Sequence, residues 1–158
     1  MPLTVQFWGT RGSIPSPGPS TVRYGGNTPC VELRTEDGWL VILDAGTGIR
    51  DLGRSLMDRA NGAPIAGDIF LTHAHWDHIQ GIPFFRPLYD SANNVFVFHS
   101  SRRNRSLKQV MEEQMAAPYF PVNMNDMQAN RAFHDIEEGR VALDESVTVQ
   151  AAWLNHPQ

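Results

Sequence analysis

The chain has 158 residues, with 13 Lys plus Arg against 17 Asp plus Glu for a formal net charge of −4, which is one domain's worth of chain and long enough to bury its own core. That balance excludes a general electrostatic binder of nucleic acid or anionic membrane, so partners have to be argued from local sites. No apolar run approaches the roughly 18 residues of a membrane span, and the opening MPLTVQFWGT lacks the basic and apolar regions of a secretory leader.

A cytoplasmic protein is therefore expected. Its one cysteine, Cys30 in TPCVELR, reads as a buried core thiol.

The first strand is expected in LTVQFWG, where β-branched and apolar residues alternate with polar ones. It runs into TRGSIPSPGPSTVRYGGNT, dense in Gly, Pro, Ser and Thr and hence irregular backbone of a length that is usually functional or disordered. PCVELRT and WLVILDAG follow, and the Asp37-Gly38 turn signal between them predicts a hairpin. GIRDLGRSLMDRA places Ile49, Leu52, Leu56 and Met57 at helical spacing and closes at Asn61-Gly62. A strand is expected in DIFLTH, a short proline-interrupted helix in IPFFRPLYD, and a strand in NNVFVFHS. A helix over 105–117 carries Leu107, Val110, Met111, Gln114 and Met115 on one side and ends before Pro118. The Met- and Asn-rich stretch after it is poorly periodic, and SVTVQAAWLNHPQ supplies a last strand. The resulting order β, ββ, α, β, α, β, α, β, β predicts an α/β fold with helices packed outside sheets.

FLTHAHWDHIQG, residues 70–81, holds three of the six histidines and an aspartate, written His73-x-His75-x-Asp77-His78. In extended chain at a strand end, residues two apart point the same way, so His73 and His75 can close on one metal ion. Asp77 and His78, adjacent on a bend, diverge and can address a second. Imidazole nitrogen suits zinc, iron or manganese, and a carboxylate adds an oxygen ligand. Two ions about 3.5–4 Å apart can hold a hydroxide and clamp the attacking and leaving oxygens of a displacement. An exposed polar turn is the bland alternative.

LTHAHWDHIQGIP resembles, at every signature position, the H-x-H-x-D-H motif of the metallo-β-lactamase fold superfamily of metallohydrolases. LVILDAGTGI is similar to that family's earlier motif, and FWGTRGSIPSPG with GGNTPCVEL is similar to the start of its phosphodiesterase branch, the ribonuclease Z and cyclic-phosphate phosphodiesterase type. The resemblance implies an αββα sandwich, incomplete at the C-terminus, with residues 1–158 as the N-terminal portion of a single domain. It implies His73 and His75 as ligands of a first metal, Asp77 and His78 as ligands of a second, and Asp77 also as the catalytic group that orients the nucleophilic water. Asp44 would be the carboxylate behind the ligands that fixes the histidine rings; a strand-end cap is its alternative. His156 would be the remaining first-metal histidine, against a plain surface histidine. The family's bridging aspartate and last second-metal histidine have no counterpart in the chain, so a fragment, a completing partner chain, or a weak second site is implied.

The function implied is hydrolysis of phosphodiester bonds by a metal-bound hydroxide at a dinuclear centre of two divalent ions, zinc first, with Mn2+ or Fe2+ as alternatives. A small phosphodiester or an RNA end is the expected substrate; no membrane partner is expected, and a homodimer is an open option. Thioester or other ester hydrolysis on the same site is the second enzyme reading, and a non-catalytic metal-binding or sensing module is the third. A redox di-iron version of the family carries Glu where His75 stands, which argues for a hydrolase.

His99 and His134 read as structural. The run SSRRNRSLK, with Arg102, Arg103, Arg105 and Lys108, reads as a solvated helix start over a phosphate contact, and Met111, Met115, Tyr119 and Phe120 as core over a substrate lid. Trp76 is expected to pack beside the metal loop.

Overall fold

A computed structural model describes residues 2–90, 93–101 and 105–156. Strands β1 (Leu3–Gly9), β2 (Cys30–Thr35), β3 (Leu40–Leu43), β4 (Ala66–Leu71), β5 (Val95–Ser101) and β6 (Asn130–Ile136) form one sheet in that order. The pairs β1–β2 and β2–β3 are antiparallel; β3 through β6 run parallel. Strands β7 (Gly139–Ala142) and β8 (Thr148–Ala151) make a separate antiparallel pair. Helices α1 (Gly48–Ala60), α2 (Trp76–Ile79) and α3 (Leu107–Gln114) complete the elements, with single turns of 3-10 helix between them.

The Asp37-Gly38 hairpin forms as its turn chemistry dictates, with Gly38 at φ 87, a backbone state that favours glycine. Helix α1 buries Ile49, Leu52 and Leu56 on one stripe, and ends where Asn61 takes the left-handed conformation and its N–H bonds to Met57 O. The stripe belongs to the same buried cluster as a row that crosses the sheet, Ile42 beside Ile69 beside Phe98 beside Phe133. Leu40, Leu71 and Phe96 extend this face, and Phe85, Leu88, Met111 and Met115 close the same cluster from the connections and α3.

Glu32 also points to the α1 face, 3 % exposed, and is satisfied by Trp8 Nε1, Arg34 Nε and Arg59 Nη2 at 2.8–3.0 Å. The other face aligns Phe7, Val31, Leu43, Phe70, His99 and His134 in register. At its β1 edge Leu3, Val5 and Phe7 are exposed. Helices packed on the main sheet and a second, two-stranded sheet agree with the αββα sandwich.

Cys30 is fully buried, and burial, followed by the charges of Asp44 and Glu32, raises its thiol pKa far above the ordinary range. Labelling by an alkylating reagent is therefore expected only in denaturant, with a protected fraction that tracks folding; prompt native-state labelling would contradict this packing.

Several elements depart from the sequence expectation. Strand β4 ends at Leu71, before Thr72 and His73, because the Thr72 N–H turns to Asp44 Oδ1 at 2.9 Å rather than to a strand partner. Helix α3 stops at Gln114, three residues short, although Ser106 and Gln109 form a full capping box at its start. IPFFRPLYD makes two 3-10 turns, Ile82–Phe84 and Arg86–Leu88, each with proline in its first turn. Strand β6 lies inside the stretch read as poorly periodic, since an edge strand with one open face needs little apolar alternation. Among the described residues no helix is long and apolar enough to cross a membrane.

Candidate metal centre

The parallel strands bring Asp44, after β3, beside the end of β4, where Asp44 N–H donates to Phe70 O at 2.8 Å. Asp44 has φ 60, a left-handed conformation that Asp tolerates better than most residues. Its carboxylate, 7 % exposed, accepts from Thr72 N and Thr72 Oγ1 and from His78 Nδ1 at 2.8 Å. The loop from His73 onward then crosses to α2, fixed by Ala45 N to His78 O and Gly81 N to Ala45 O. These backbones are in contact: a Cβ on Gly81 would stand 2.0 Å from Gly46 O, and one on Gly46 would stand 2.4 Å from Asp77 O. Gly81→Ala is expected to cost about 1–3 kcal/mol of stability, measured by urea unfolding, because backbone must move to admit the methyl.

His73, His75 and His156 converge, each offering one ring nitrogen within 4.8 Å of the other two. Their ring centroids lie 4.3–5.2 Å apart, with His78 a further 4.2 Å neighbour of His73. Among the described residues no other group of three or more His, Cys, Asp or Glu side chains meets this condition. His156 reaches the group from the segment that follows β8.

Hydrogen bonding assigns the tautomers. A carboxylate only accepts, so the single Thr72 hydroxyl proton goes to Asp44, and the Thr72 oxygen accepts from His73 Nδ1 at 3.0 Å. His73 Nε2 is left without a proton, buried and without a partner. In its neutral form His78 likewise donates from Nδ1 to Asp44 and keeps its lone pair on Nε2, 3.6 Å from Asp77 Oδ2.

Burial, then the neighbouring His78, His75 and His156, lower the His73 pKa to about 4 against the opposing pull of Asp44. The ring is thus neutral near pH 7. For His78, burial alone would lower the pKa, but the hydrogen bond and charge of Asp44 and the charge of Asp77 outweigh it and raise it. Partial burial opposes ionisation of Asp77, yet the Ser13 N–H and the charge of His78 hold its carboxyl below the usual range. That N–H donates to Asp77 Oδ2 at 2.8 Å, with Ser13 at φ 74.

An orphaned buried nitrogen, three convergent imidazoles and a carboxylate fixing the rings fit a divalent ion such as zinc. Asp77 Oδ2 and His78 Nε2 stand at about the ligand-to-ligand edge of a tetrahedral zinc site, with no third such ligand joining them among the described residues.

Thr72 and Ser13 went unread in the sequence. The only signals were a hydroxyl residue directly before the first histidine and an unusually long loop after β1.

His99 is buried on β5, bonded through Nε2 to Asp68 Oδ1 at 2.7 Å and stacked on Phe70, and His134 lies against it; neither joins the triad. Trp76 corrects the expectation of packing: it opens α2 with its ring turned outward, 72 % exposed. Met111 and Met115 are core, and Phe120 is half-buried against Phe84. Tyr119 is a correction, exposed on the turn that follows α3. Arg105 pairs with Glu113 and Lys108 with Glu112, as expected of a solvated helix start. Arg102 and Arg103 lie outside the described residues.

The family described as the beta-lactamase superfamily domain matches residues 40–158, and the chain belongs to that family. Among curated relatives it is 30 % identical over 149 residues to ribonuclease Z of Natronomonas pharaonis, covering 92 % of this chain and 44 % of that protein. Ribonuclease Z of Haloarcula marismortui is 29 % identical over the same shares, and that of Thermococcus kodakarensis 28 % over 85 % of this chain and 41 % of its own. The chain thus spans less than half the length of these relatives. The crystal structure of unliganded yeast PDE1 superimposes with a TM-score of 0.51 at 16 % identity, covering 89 % of this chain and 52 % of that one, which supports the fold alone.

Proposed function

We propose that residues 1–158 are the N-terminal portion of a metallo-β-lactamase-type domain whose complete form hydrolyses phosphodiester bonds at a dinuclear, zinc-preferring centre. The observation that carries this reading is the convergence of His73, His75 and His156 around the orphaned His73 Nε2. In this reading these three hold the first ion, and Asp77 and His78 contribute to the second. Divalent ions there would lower the pKa of a water and stabilise charge on phosphoryl oxygens.

The chain's own residues do the positioning. Asp44 keeps two imidazoles in the ligating tautomer, one directly and one through Thr72. Asp77, held ionised by the Ser13 N–H, keeps a carboxylate oxygen available to orient the attacking water and accept its proton. The substrate class is supported by the ribonuclease Z relatives and by the opening loop. An RNA end and a small cyclic phosphate are both within it.

On the full-length protein, bis(p-nitrophenyl) phosphate is expected to be cleaved with added zinc and not after chelation. Thioester turnover in its place, with no diester cleavage, would move the assignment to ester hydrolysis. The isolated 158-residue chain is expected to bind one zinc ion by calorimetry, because Asp77 and His78 have no third ligand among the described residues. Two tight sites would show that this chain completes both.

A further inference from the structure

The loop that supports Asp77 also walls a pocket of about 340 Å3, lined in part by Arg11, Gly12, Thr21, Arg23 and Tyr24. Gly12 and Ser13 are consecutive, so the wall of the pocket and the amide on Asp77 belong to one stretch of backbone. No acidic residue lines it, so two arginines make it locally cationic in a chain of net charge −4. Tyr24 is 72 % exposed, and the Arg23 guanidinium sits 5.1 Å from its ring centroid.

By contrast, a larger hollow of about 450 Å3 on α1 is lined by Asp51, Arg54, Ser55, Asp58 and Arg59. Its two acids and two bases cancel.

The pocket is preformed. Thr10 and Arg11 both donate backbone N–H to Asn27 O, Ser16 N bonds Gly26 O, and Thr21 Oγ1 bonds Ser16 O. A Cβ on Gly26 would stand 2.1 Å from Ser16 O, so the two arms of the loop touch. Arg11 Nε is committed to Ile14 O at 2.9 Å, whereas Arg23 has no ion pair among the described residues.

We propose that this pocket seats the nucleoside attached to the scissile phosphate, with the base stacked on Tyr24 and Arg23 facing the neighbouring phosphate or sugar oxygens. It rests on the phosphodiester reading above. An exposed ring with a guanidinium already laid against it is the kind of platform on which bases stack irrespective of sequence. The ligand class is therefore a nucleoside phosphate, presented by an RNA end or by a cyclic nucleotide.

Two measurements on the full-length protein test this, with Tyr24→Ala, Tyr24→Phe and, as a control away from the pocket, His134→Ala. With zinc, kcat/KM is compared for thymidine 5′-(p-nitrophenyl) phosphate and methyl p-nitrophenyl phosphate, which share a leaving group. The preference for the nucleoside diester is expected to fall roughly 5- to 150-fold in Tyr24→Ala, the range for loss of one base–aromatic stack. It is expected to persist in Tyr24→Phe and His134→Ala. An unchanged preference in Tyr24→Ala would overturn the proposal.

Without metal, calorimetry compares adenosine 5′-monophosphate with ribose 5-phosphate. Tighter binding of the nucleotide, lost in Tyr24→Ala and kept in Tyr24→Phe, supports the pocket; equal binding of the two by the unmodified protein overturns it. Nucleotide preference without cleavage of either diester would keep the pocket and remove the hydrolase reading. In competition, displacement by an RNA oligonucleotide or by 3′,5′-cyclic AMP names the source of the ligand. Displacement by neither counts against the site.

Discussion

Replacing His73 by alanine is expected to weaken zinc binding by roughly two orders of magnitude, while leaving the metal-free fold as stable as before or up to about 1 kcal/mol more so. The first figure follows from structural zinc sites, where an apparent binding free energy of about 10–16 kcal/mol is shared among four protein ligands, roughly 3 kcal/mol each. The second follows from burial: His73 Nε2 is a buried acceptor without a partner, so the folded chain bears its desolvation cost in the absence of metal. The opposite signs are the informative feature. A histidine kept for packing would cost stability when truncated and leave metal affinity alone. Competition against a chromophoric chelator gives the first quantity, and urea unfolding of the metal-free protein gives the second. His134→Ala should change neither, since its exposed ring lies against His99 and outside the triad. A loss of about 2 kcal/mol in His73→Ala with unchanged zinc affinity would show that the ring is structural.

Asp44→Asn is expected to lower metal affinity about 10- to 100-fold and to destabilise the metal-free protein by about 1–3 kcal/mol. The carboxylate accepts from the Thr72 N–H, the Thr72 hydroxyl and His78 Nδ1. An amide has only one accepting oxygen, and its NH2 would oppose one of these donors. The substitution leaves the backbone out of the comparison, because Asn occupies the left-handed region at φ 60 as readily as Asp. His73 and His78 would then lose the constraint that keeps their Nε2 atoms unprotonated. Thr72→Val should reproduce the effect for His73 alone, since it removes the hydroxyl that links that ring to Asp44. Full metal affinity in Asp44→Asn would reduce Asp44 to a strand-end cap.

The sequence by itself determined the parts of this protein whose physics is local. Alternation placed β1 at its observed bounds, the Asp37-Gly38 turn fixed the hairpin, and helical spacing closed by Asn61-Gly62 set both ends of α1. The spacing of His73, His75, Asp77 and His78 announced the family to which the chain belongs, because residues close in sequence leave their pattern in the string of residues. Contacts remote in sequence left no such pattern. The family resemblance named Asp44 and His156, but only the tertiary structure decided that Asp44 grips Thr72 and His78 across the β3–β4 parallel pair, that the Ser13 amide reaches Asp77 from 64 positions away, and which rings His156 stands against. It also turned Trp76 and Tyr119 to solvent and set Arg23 against Tyr24 beside the same loop, since exposure and side-chain juxtaposition are properties of the packed chain.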